Sequence, residues 1–159
     1  MSSSSAKPYV EIYTDGACAK NPGAGGWGAL LIFNDVKKEI FGYKLETTNN
    51  QMEIAAALYA LQQLKKSCKV KIYTDSTYLQ KGATEWLKTW QKNNWRKNDN
   101  KPVNNIDLWQ NLQLEIEKHD IIWCWVKGHS DNEGNNIADR LACTGKETAI
   151  RMLKNATDK

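Results

Sequence analysis

Long hydrophobic segments are missing from this 159-residue sequence. No apolar run approaches the roughly 18–20 residues that a bilayer-spanning helix needs. We also expect no secretory signal, because the segment Met1–Lys7 is mostly serine and no apolar stretch follows it. We therefore expect a single-domain, cytoplasmic protein without a membrane partner, whose residues 1–8 form a disordered N-terminal tail.

Cysteine and histidine are too scarce and too scattered for a recognisable zinc site. The four cysteines, Cys18, Cys68, Cys124 and Cys143, include no C-x-x-C pair, and there are two histidines. The spacing does not suggest a disulfide framework, which a chain of this length does not need. Reduced, half-buried thiols are expected.

The net positive charge is confined to one stretch. Between Lys81 and Lys101 lie six basic and two acidic residues, which accounts for the whole formal charge of +4. The same stretch holds Trp86, Trp90 and Trp95, three of the seven tryptophans. Basic residues interleaved with aromatics are typical of a nucleic-acid surface. A lysine-rich helix pair with inward-packed tryptophans would give the same pattern, and both interpretations can hold at once.

The order of predicted elements indicates a mixed sheet. Strands are predicted at Tyr9–Asp15, Trp27–Phe33 and Lys38–Leu45, with the glycine-rich segment 21–26 as a loop and a tight turn at Asn34-Asp35. The later elements are a helix at Gln51–Lys66, a strand at Val70–Asp75, two helices from Ser76 or Thr77 into the basic stretch, a helix at Asn105–Lys118, a strand at Ile121–Lys127 and a helix at Asn135–Lys146. Such alternation predicts helices on the faces of the sheet.

Two predicted strands end in the same tetrapeptide, Ile-Tyr-Thr-Asp. A long helix connects the strand that ends at Asp15 to the strand that ends at Asp75, and a β–α–β connection favours parallel strands. Neighbouring strands lie about 4.8 Å apart, so both aspartates would share the carboxyl edge where open α/β sheets bind ligands. Aspartate also ends many strands without a function, so this pairing alone does not establish a site.

Two further acids stand among small and apolar helix residues. Glu53 begins a helical stripe that otherwise belongs to a packed face. It is predicted in the first turn of a helix that runs antiparallel to the next strand, which brings it to the edge with Asp15 and Asp75. Asp139 lies in the run Ile137–Ala142. Its position alone favours the interpretation that it is an exposed side chain that pairs with the adjacent Arg140.

Clustered carboxylates need a counter-ion. Two like charges about 4 Å apart repel by about 4 kcal/mol at an effective dielectric near 20. Oxygen ligands suit Mg²⁺ or Mn²⁺, and paired divalent ions about 4 Å apart serve in-line phosphodiester displacement. Acids together with a basic, aromatic segment therefore indicate a metal-dependent nuclease.

Several motifs follow one another along the chain in a specific order. They are Thr14-Asp15-Gly16-Ala17-Cys18, Asn21-Pro22-Gly23, Thr47-Thr48-Asn49-Asn50-Gln51-Met52-Glu53, Thr74-Asp75-Ser76, Val126-Lys127-Gly128-His129-Ser130, and Asn135 with Ala138-Asp139. From about Tyr9 to Lys146 the chain resembles ribonuclease H of the bacterial type I class. The resemblance implies an α/β, ribonuclease H-like fold: a five-stranded mixed sheet in the order 3-2-1-4-5, flanked by helices. The implied catalytic domain is 9–147, with a basic protrusion at 81–101 and a C-terminal tail at 148–159.

The resemblance also implies an activity. Such an enzyme is an endonuclease that hydrolyses the RNA strand of RNA–DNA hybrids to 5′-phosphate and 3′-hydroxyl products, without strong sequence specificity. The implied cofactor is Mg²⁺, one or two ions per site, with Mn²⁺ as a substitute. The implied partner is the RNA–DNA hybrid, and we expect a monomer without an obligate protein partner.

The functional residues of the family carry over by position. Its metal-binding catalytic carboxylates match Asp15, Glu53, Asp75 and Asp139. Its mobile-loop catalytic histidine, which assists proton transfer or product departure, matches His129. Nucleic-acid contacts are expected at Asn21, Thr48, Asn49, Trp86, Lys88, Trp90, Lys92, Trp95, Arg96 and Lys97. The other histidine, His119, is expected to be a surface residue.

Two positions depart from the family pattern. Asn136 stands where many relatives carry glutamate, and Thr77 stands where some carry glutamine.

A structure-selective DNA nuclease and a non-catalytic hybrid-binding module are the competing functions. The Thr-Thr-Asn-Asn motif and the basic stretch disfavour the first, and the presence of all four acids disfavours the second.

Overall fold

The chain begins with three consecutive antiparallel strands. They are β1 (Tyr9–Cys18), β2 (Gly23–Phe33) and β3 (Val36–Thr47). The computed structural model describes residues 7–127 and 132–157. Between β2 and β3, Asn34 and Asp35 have φ values of 48° and 38°, as a two-residue hairpin turn requires. The turn predicted at these residues is confirmed.

Alternating helices and strands complete the sheet. They are α1 (Asn49–Gln62), β4 (Lys69–Thr74), α2 (Thr77–Lys81), α3 (Leu87–Lys92), α4 (Ile106–Ile116), β5 (Asp120–Trp125) and α5 (Glu133–Thr157). The two predicted basic helices form one helical stretch, because a π-helical turn, Gly82–Trp86, joins α2 to α3. The pairs β1–β4 and β4–β5 are parallel. Among the described residues the sheet order is β3-β2-β1-β4-β5, which confirms the predicted fold.

Strand alternation determines which face of the sheet is buried. Val10 and Ile12 of β1 and Val70 and Ile72 of β4 are at most 3% exposed. They form one hydrophobic core with apolar residues of α1 and with Trp109 of α4. Burial of this face fixes α1 against β1, and the position of Glu53 on α1 is fixed with it.

The glycine-rich segment is only partly a loop, because β2 begins at Gly23. The backbone of α5 lies directly on two glycines of β2, Gly26 and Gly28. A Cβ atom on Gly26 would lie 2.2 Å from the backbone nitrogen of Lys146, and one on Gly28 would lie 2.5 Å from Cβ of Leu141. Side chains at positions 26 and 28 would push α5 away from the sheet. Asp139, which α5 carries, would move with it.

The last helix is longer than predicted. It continues past Lys146 to Thr157, so the expected C-terminal tail is helical as far as the structure describes it. Ala149 is fully buried, and the hydroxyl of Thr148 donates to the carbonyl oxygen of Thr144 at 2.8 Å. No glycine or proline follows Gly145 to end the helix.

Two residues of the expected N-terminal tail are attached to the fold. Lys7 forms an ion pair with Asp120 at 3.0 Å, and the carbonyl oxygen of Pro8 accepts from the backbone N–H of Lys69 at 2.8 Å. The tail prediction is therefore wrong for residues 7 and 8, while residues 1–6 lie outside the described part of the chain.

The surface prediction for His119 is also wrong. Its side chain is 9% exposed, and Nδ1 accepts from the backbone N–H of Cys68 at 3.1 Å. This bond ties the chain before β5 to the chain before β4. Burial lowers the pKa of the His119 imidazole.

The prediction of reduced thiols is confirmed, since all four cysteines are free. Cys18, Cys124 and Cys143 are half-buried, whereas Cys68 is buried. No helix among the described residues is long and apolar enough to cross a membrane.

Candidate active site

Two aspartates lie where the parallel pairing of β1 and β4 ends. The last paired residues are Thr14 and Thr74, and Asp15 and Asp75 follow them directly. Asp15 is 4% exposed, and its Oδ1 accepts from the N–H of Gly16 at 2.9 Å. Asp75 is half-buried. The predicted pairing of the two acids at one sheet edge is confirmed.

Glu53 reaches these aspartates because α1 packs closely on β1. A Cβ atom on Gly16 would lie 2.7 Å from the backbone nitrogen of Glu53, so glycine permits this approach. Thr48 caps the helix, its Oγ1 accepting from the N–H of Gln51 at 3.1 Å. The helix therefore starts earlier than predicted, and Glu53 lies in its second turn rather than its first.

Three carboxylates form a cluster of possible metal ligands. Asp15, Glu53 and Asp75 each offer an oxygen, and these oxygens all lie within 4.8 Å of one another. Asp139 of α5 is half-buried, lines the same cleft and shares a side-chain hydrogen bond with Asp15. The structure thus brings together all four predicted carboxylates.

The donor set of this cluster fits a divalent cation. Oε1 of Glu53 is buried and has no hydrogen-bond partner among the residues that the structure describes. An unpaired buried carboxylate oxygen is costly unless a ligand compensates it. Hard oxygen donors of this kind are those that Mg²⁺ and Mn²⁺ prefer.

Crowding of these acids changes their protonation. Burial, the charge of Asp75 and the hydrogen bond with Asp139 raise the pKa of Asp15 from 3.8 to about 8. Burial, followed by the charges of Asp15 and Asp75, raises the pKa of Glu53 well above its usual range. The metal-free cleft therefore retains protons near neutral pH, and a cation must displace them.

Asp15→Asn is expected to stabilise the metal-free protein, and more strongly at pH 8 than at pH 5. Because folding raises the pKa of Asp15, the unfolded chain binds fewer protons between about pH 4 and 8, and wild-type stability falls as pH rises through this window. One pKa unit corresponds to about 1.4 kcal/mol, so the gain at pH 8 should reach a few kcal/mol.

Thermal unfolding in EDTA at both pH values measures this effect. Asp35→Asn, at an exposed turn position, is the matched control and should change the Tm little at either pH. A gain for Asp15→Asn that is equal at pH 5 and pH 8 would contradict the expected protonation of the cleft.

The carboxylates line an open cleft of about 380 Å³. Its other lining residues are Gly16, Asn49, Asn50, Ser76, Thr77 and Tyr78. The backbone N–H of Asn49 donates to Oδ1 of Asn21 at 3.1 Å. Asn21, Thr48 and Asn49 therefore meet at the start of α1, beside the acids. His129 lies outside the described residues.

The basic arm, residues 81–101, carries its charges outwards and packs its tryptophans against one another. Lys88, Lys92, Arg96 and Lys97 are exposed. The ring of Trp90 lies 5.8 Å from that of Trp86, 6.2 Å from Trp95 and 5.5 Å from Trp109 of α4. Trp90 and Trp95 pack against the hydrophobic core. Inward packing of the tryptophans therefore coexists with a basic outer surface.

A chain of polar side chains beside the cleft escaped the sequence analysis. Gln51 accepts from Oγ1 of Thr47 at 2.7 Å and donates through Nε2 to Oδ1 of Asn105 at 3.1 Å. The hydroxyl of Tyr78 accepts from Asn105 and from Trp109, both at 3.1 Å. These residues come from four separate elements, so the only signal in the sequence was the position of Tyr78 just after the Thr-Asp-Ser motif.

The sheet order and the acidic cleft define the ribonuclease H-like class of folds, and comparison with known proteins agrees. The sequence model of the family described as RNase H matches residues 7–147. Ribonuclease H of Rickettsia felis is 68% identical over 145 residues, which cover 91% of this chain and 95% of that protein.

Solved structures show the same fold. LC9-RNase H1, described as a type 1 RNase H with the type 2 active-site motif, superposes with a TM-score of 0.82 at 27% identity, covering 90% of this chain and 74% of that one. A foamy viral protease-reverse transcriptase, solved in complex with RNA/DNA hybrid, gives a TM-score of 0.77 at 26% identity and covers 89% of this chain and 20% of that one.

This chain belongs to the RNase H family. It is a hydrolase, an endoribonuclease that cleaves the RNA strand of RNA–DNA hybrids.

Proposed function

We propose that Asp15, Glu53, Asp75 and Asp139 are the catalytic carboxylates and that they hold one or two Mg²⁺ ions, for which Mn²⁺ can substitute. The observation that carries the proposal is the cluster of three carboxylates within 4.8 Å of one another. The unpaired, buried Oε1 of Glu53 supports it, because a ligand is needed to offset its burial. Asp139, which lines the same cleft, adds a fourth oxygen donor from α5.

The bound ion supplies Lewis-acid activation of phosphodiester hydrolysis. The protein's own part is positional. Asp15 and Asp75 are fixed by the sheet edge, and Glu53 is fixed by the contact of α1 with Gly16. Such preorganised acids require little rearrangement when the substrate arrives. The proposed products carry 5′-phosphate and 3′-hydroxyl ends.

The substrate is proposed to be held by polar groups beside the cleft and by the basic arm. Asn21, Thr48 and Asn49 meet at the start of α1, within reach of phosphates and sugars next to the carboxylates. On the arm, the proposed contacts are Trp86, Lys88, Trp90, Lys92, Trp95, Arg96 and Lys97. The charged members are exposed, and the half-buried tryptophans retain some accessible surface. Contacts to phosphate and sugar do not read bases, so strong sequence specificity is not expected.

We also propose that the protein acts as a monomer in the cytoplasm. All four proposed carboxylates come from one chain, so the cleft does not need a second copy. Four free cysteines suit a reducing compartment.

His129→Ala is expected to slow turnover by about 10²–10⁴-fold without abolishing it, because a proton-transfer aid contributes less than a metal-holding carboxylate. Steady-state and single-turnover rates between pH 6 and 9 test this role. His119→Ala is not a suitable control because His119 is buried. Lys127→Ala serves instead, since Lys127 is exposed and lies two positions before His129 in the sequence. Turnover of His129→Ala at the wild-type rate across this pH range would remove His129 from the mechanism.

A panel of uniform duplexes tests the proposed function. RNA–DNA hybrid, double-stranded DNA and double-stranded RNA of one sequence are incubated with the protein in Mg²⁺, in Mn²⁺ and in EDTA. We expect cleavage of the RNA strand of the hybrid alone, in either metal and not in EDTA. Cleavage of double-stranded DNA would favour the DNA nuclease, and hybrid binding without cleavage would favour the non-catalytic module.

A further inference from the structure

One large aromatic side chain at the end of β5 lies outside the hydrophobic core. Trp125 is the last residue of this strand and is 49% exposed. Ile121 and Trp123 share its face of the sheet, because side chains alternate along a strand, and both pack against the core. The ladder partner of Trp125 is Thr74, the residue before Asp75. Packing in the core therefore does not account for the tryptophan at this position.

The indole of Trp125 is hydrogen-bonded to the backbone of a proposed metal ligand. Its Nε1–H donates to the carbonyl oxygen of Asp75 at 3.2 Å. One residue earlier on β4, the carbonyl oxygen of Thr74 accepts from the backbone N–H of Val126 at 2.8 Å. The side chain of Trp125 thus adds a hydrogen bond directly beyond the paired residues of β4 and β5. An indole N–H is a donor only, so Trp125 holds the backbone and does not ligate a cation itself.

Asp75 depends on such a contact more than the other two clustered acids. Asp15 lies within β1, and Glu53 lies within α1. Asp75 lies in the connection between β4 and α2, one residue past the last paired residue of β4 on either side. The regular backbone pairing that fixes Asp15 and Glu53 therefore does not extend to Asp75, and the bond from Trp125 holds its peptide instead.

We propose that Trp125 is a positioning residue, whose hydrogen bond to the Asp75 carbonyl oxygen keeps the Asp75 carboxylate where it shares a cation with Asp15 and Glu53. The inference rests on the proposed function, because that function assigns Asp75 to the metal. Outer-shell partners of metal ligands typically contribute about 10–100-fold in metal affinity or activity. Trp125 contacts the backbone of the ligand rather than its carboxylate, so we expect the lower end of this range.

Trp125→Phe tests the proposal, because phenylalanine keeps an aromatic ring and lacks the N–H donor. Binding of Mn²⁺ to the free protein, followed by electron paramagnetic resonance, should weaken by about tenfold. Single-turnover cleavage at limiting Mg²⁺ should fall by a similar factor. A positioning role leaves KM for the hybrid, and hybrid binding in EDTA, within about twofold of the wild type. Trp123→Phe, the same change in a ring that packs against the core, is the matched control and should keep the wild-type Mn²⁺ affinity.

A measurement on the wild type tests the same contact without a substitution in the tryptophan. In nuclear magnetic resonance spectra, the indole N–H signal of Trp125 should shift saturably as Mg²⁺ is added, because the cation bound by Asp75 acts on the carbonyl group that this N–H contacts. The indole signal of Trp123 should shift little. Asp75→Asn should abolish the shift of the Trp125 signal.

Several outcomes would overturn the proposal. They are wild-type Mn²⁺ affinity in folded Trp125→Phe, an equal loss in Trp123→Phe, and a Trp125 indole signal that Mg²⁺ does not move. Weaker hybrid binding in EDTA with unchanged Mn²⁺ affinity would make Trp125 a nucleic-acid contact instead. Failure of the proposed function is distinguishable, because the wild type would then bind no Mn²⁺ or Asp75→Asn would bind it equally well.

Discussion

Asp15→Asn or Asp75→Asn is expected to reduce hybrid cleavage in Mg²⁺ by at least about 10⁴-fold while the protein stays folded. Each aspartate offers an oxygen to the cluster within 4.8 Å, and asparagine keeps the shape but loses the charge that attracts the cation. Several kcal/mol of transition-state stabilisation depend on the ion, and about 5.4 kcal/mol corresponds to 10⁴-fold. Single-turnover cleavage of a labelled hybrid measures the loss.

Asp35→Asn provides the matched control for this loss. It makes the same chemical change at an exposed turn residue, where asparagine also adopts positive φ readily, and should cleave at the wild-type rate. Circular dichroism and thermal unfolding show whether the cleft variants remain folded. Wild-type cleavage by folded Asp15→Asn or Asp75→Asn would remove that residue from the catalytic site.

Replacing Lys88, Lys92, Arg96 and Lys97 together with glutamine should raise KM strongly and leave single-turnover cleavage at saturating hybrid nearly unchanged. These side chains are exposed and lie on the arm that carries the net charge of the chain, and this arm contains none of the four carboxylates. If each contacts a phosphate, the slope of log affinity against log salt should flatten by up to about 3.6, at about 0.9 per contact on a duplex.

Binding of the hybrid in Ca²⁺, which is expected to support binding without turnover, gives this slope at several salt concentrations. The control variant neutralises Lys65, Lys66, Lys69 and Arg151, four exposed bases outside the arm, and changes the net charge equally. A control slope equal to that of the arm variant would show that net charge, rather than the arm, governs binding. An unchanged slope in the arm variant would exclude the arm as the nucleic-acid handle.

Local sequence patterns were sufficient to predict the edge of the sheet where the acids meet. The repeated Ile-Tyr-Thr-Asp ending and the long helix between the two strands predict parallel neighbours, and Asp15 and Asp75 lie there. Glu53 was predicted as an acid at the start of an otherwise packed helical stripe. Asp139 could not be placed from its neighbours alone, because its approach to the cleft depends on how α5 lies on β2.

The features that the sequence analysis missed depend on contacts between distant elements. The glycine-rich segment favours a loop locally, yet from Gly23 it forms part of a strand because it pairs with β1 and β3, and the backbone of α5 lies against Gly26. Buried His119 accepts a hydrogen bond from the backbone N–H of Cys68. Tyr78, which lines the cleft, accepts a hydrogen bond from the side chain of Asn105. Neither contact has a local signal, because the partners are 51 and 27 residues apart.

Direct binding of Mn²⁺ to the free protein, followed by electron paramagnetic resonance, tests most directly whether the carboxylate cleft is a metal site. Unbound Mn²⁺ gives a six-line signal that binding suppresses. We expect the wild type to deplete this signal saturably, and Glu53→Gln to weaken binding by about tenfold or more, since the charge of a buried ligand is removed. Equal depletion by the wild type and by folded Glu53→Gln, or no depletion by the wild type, would contradict the account.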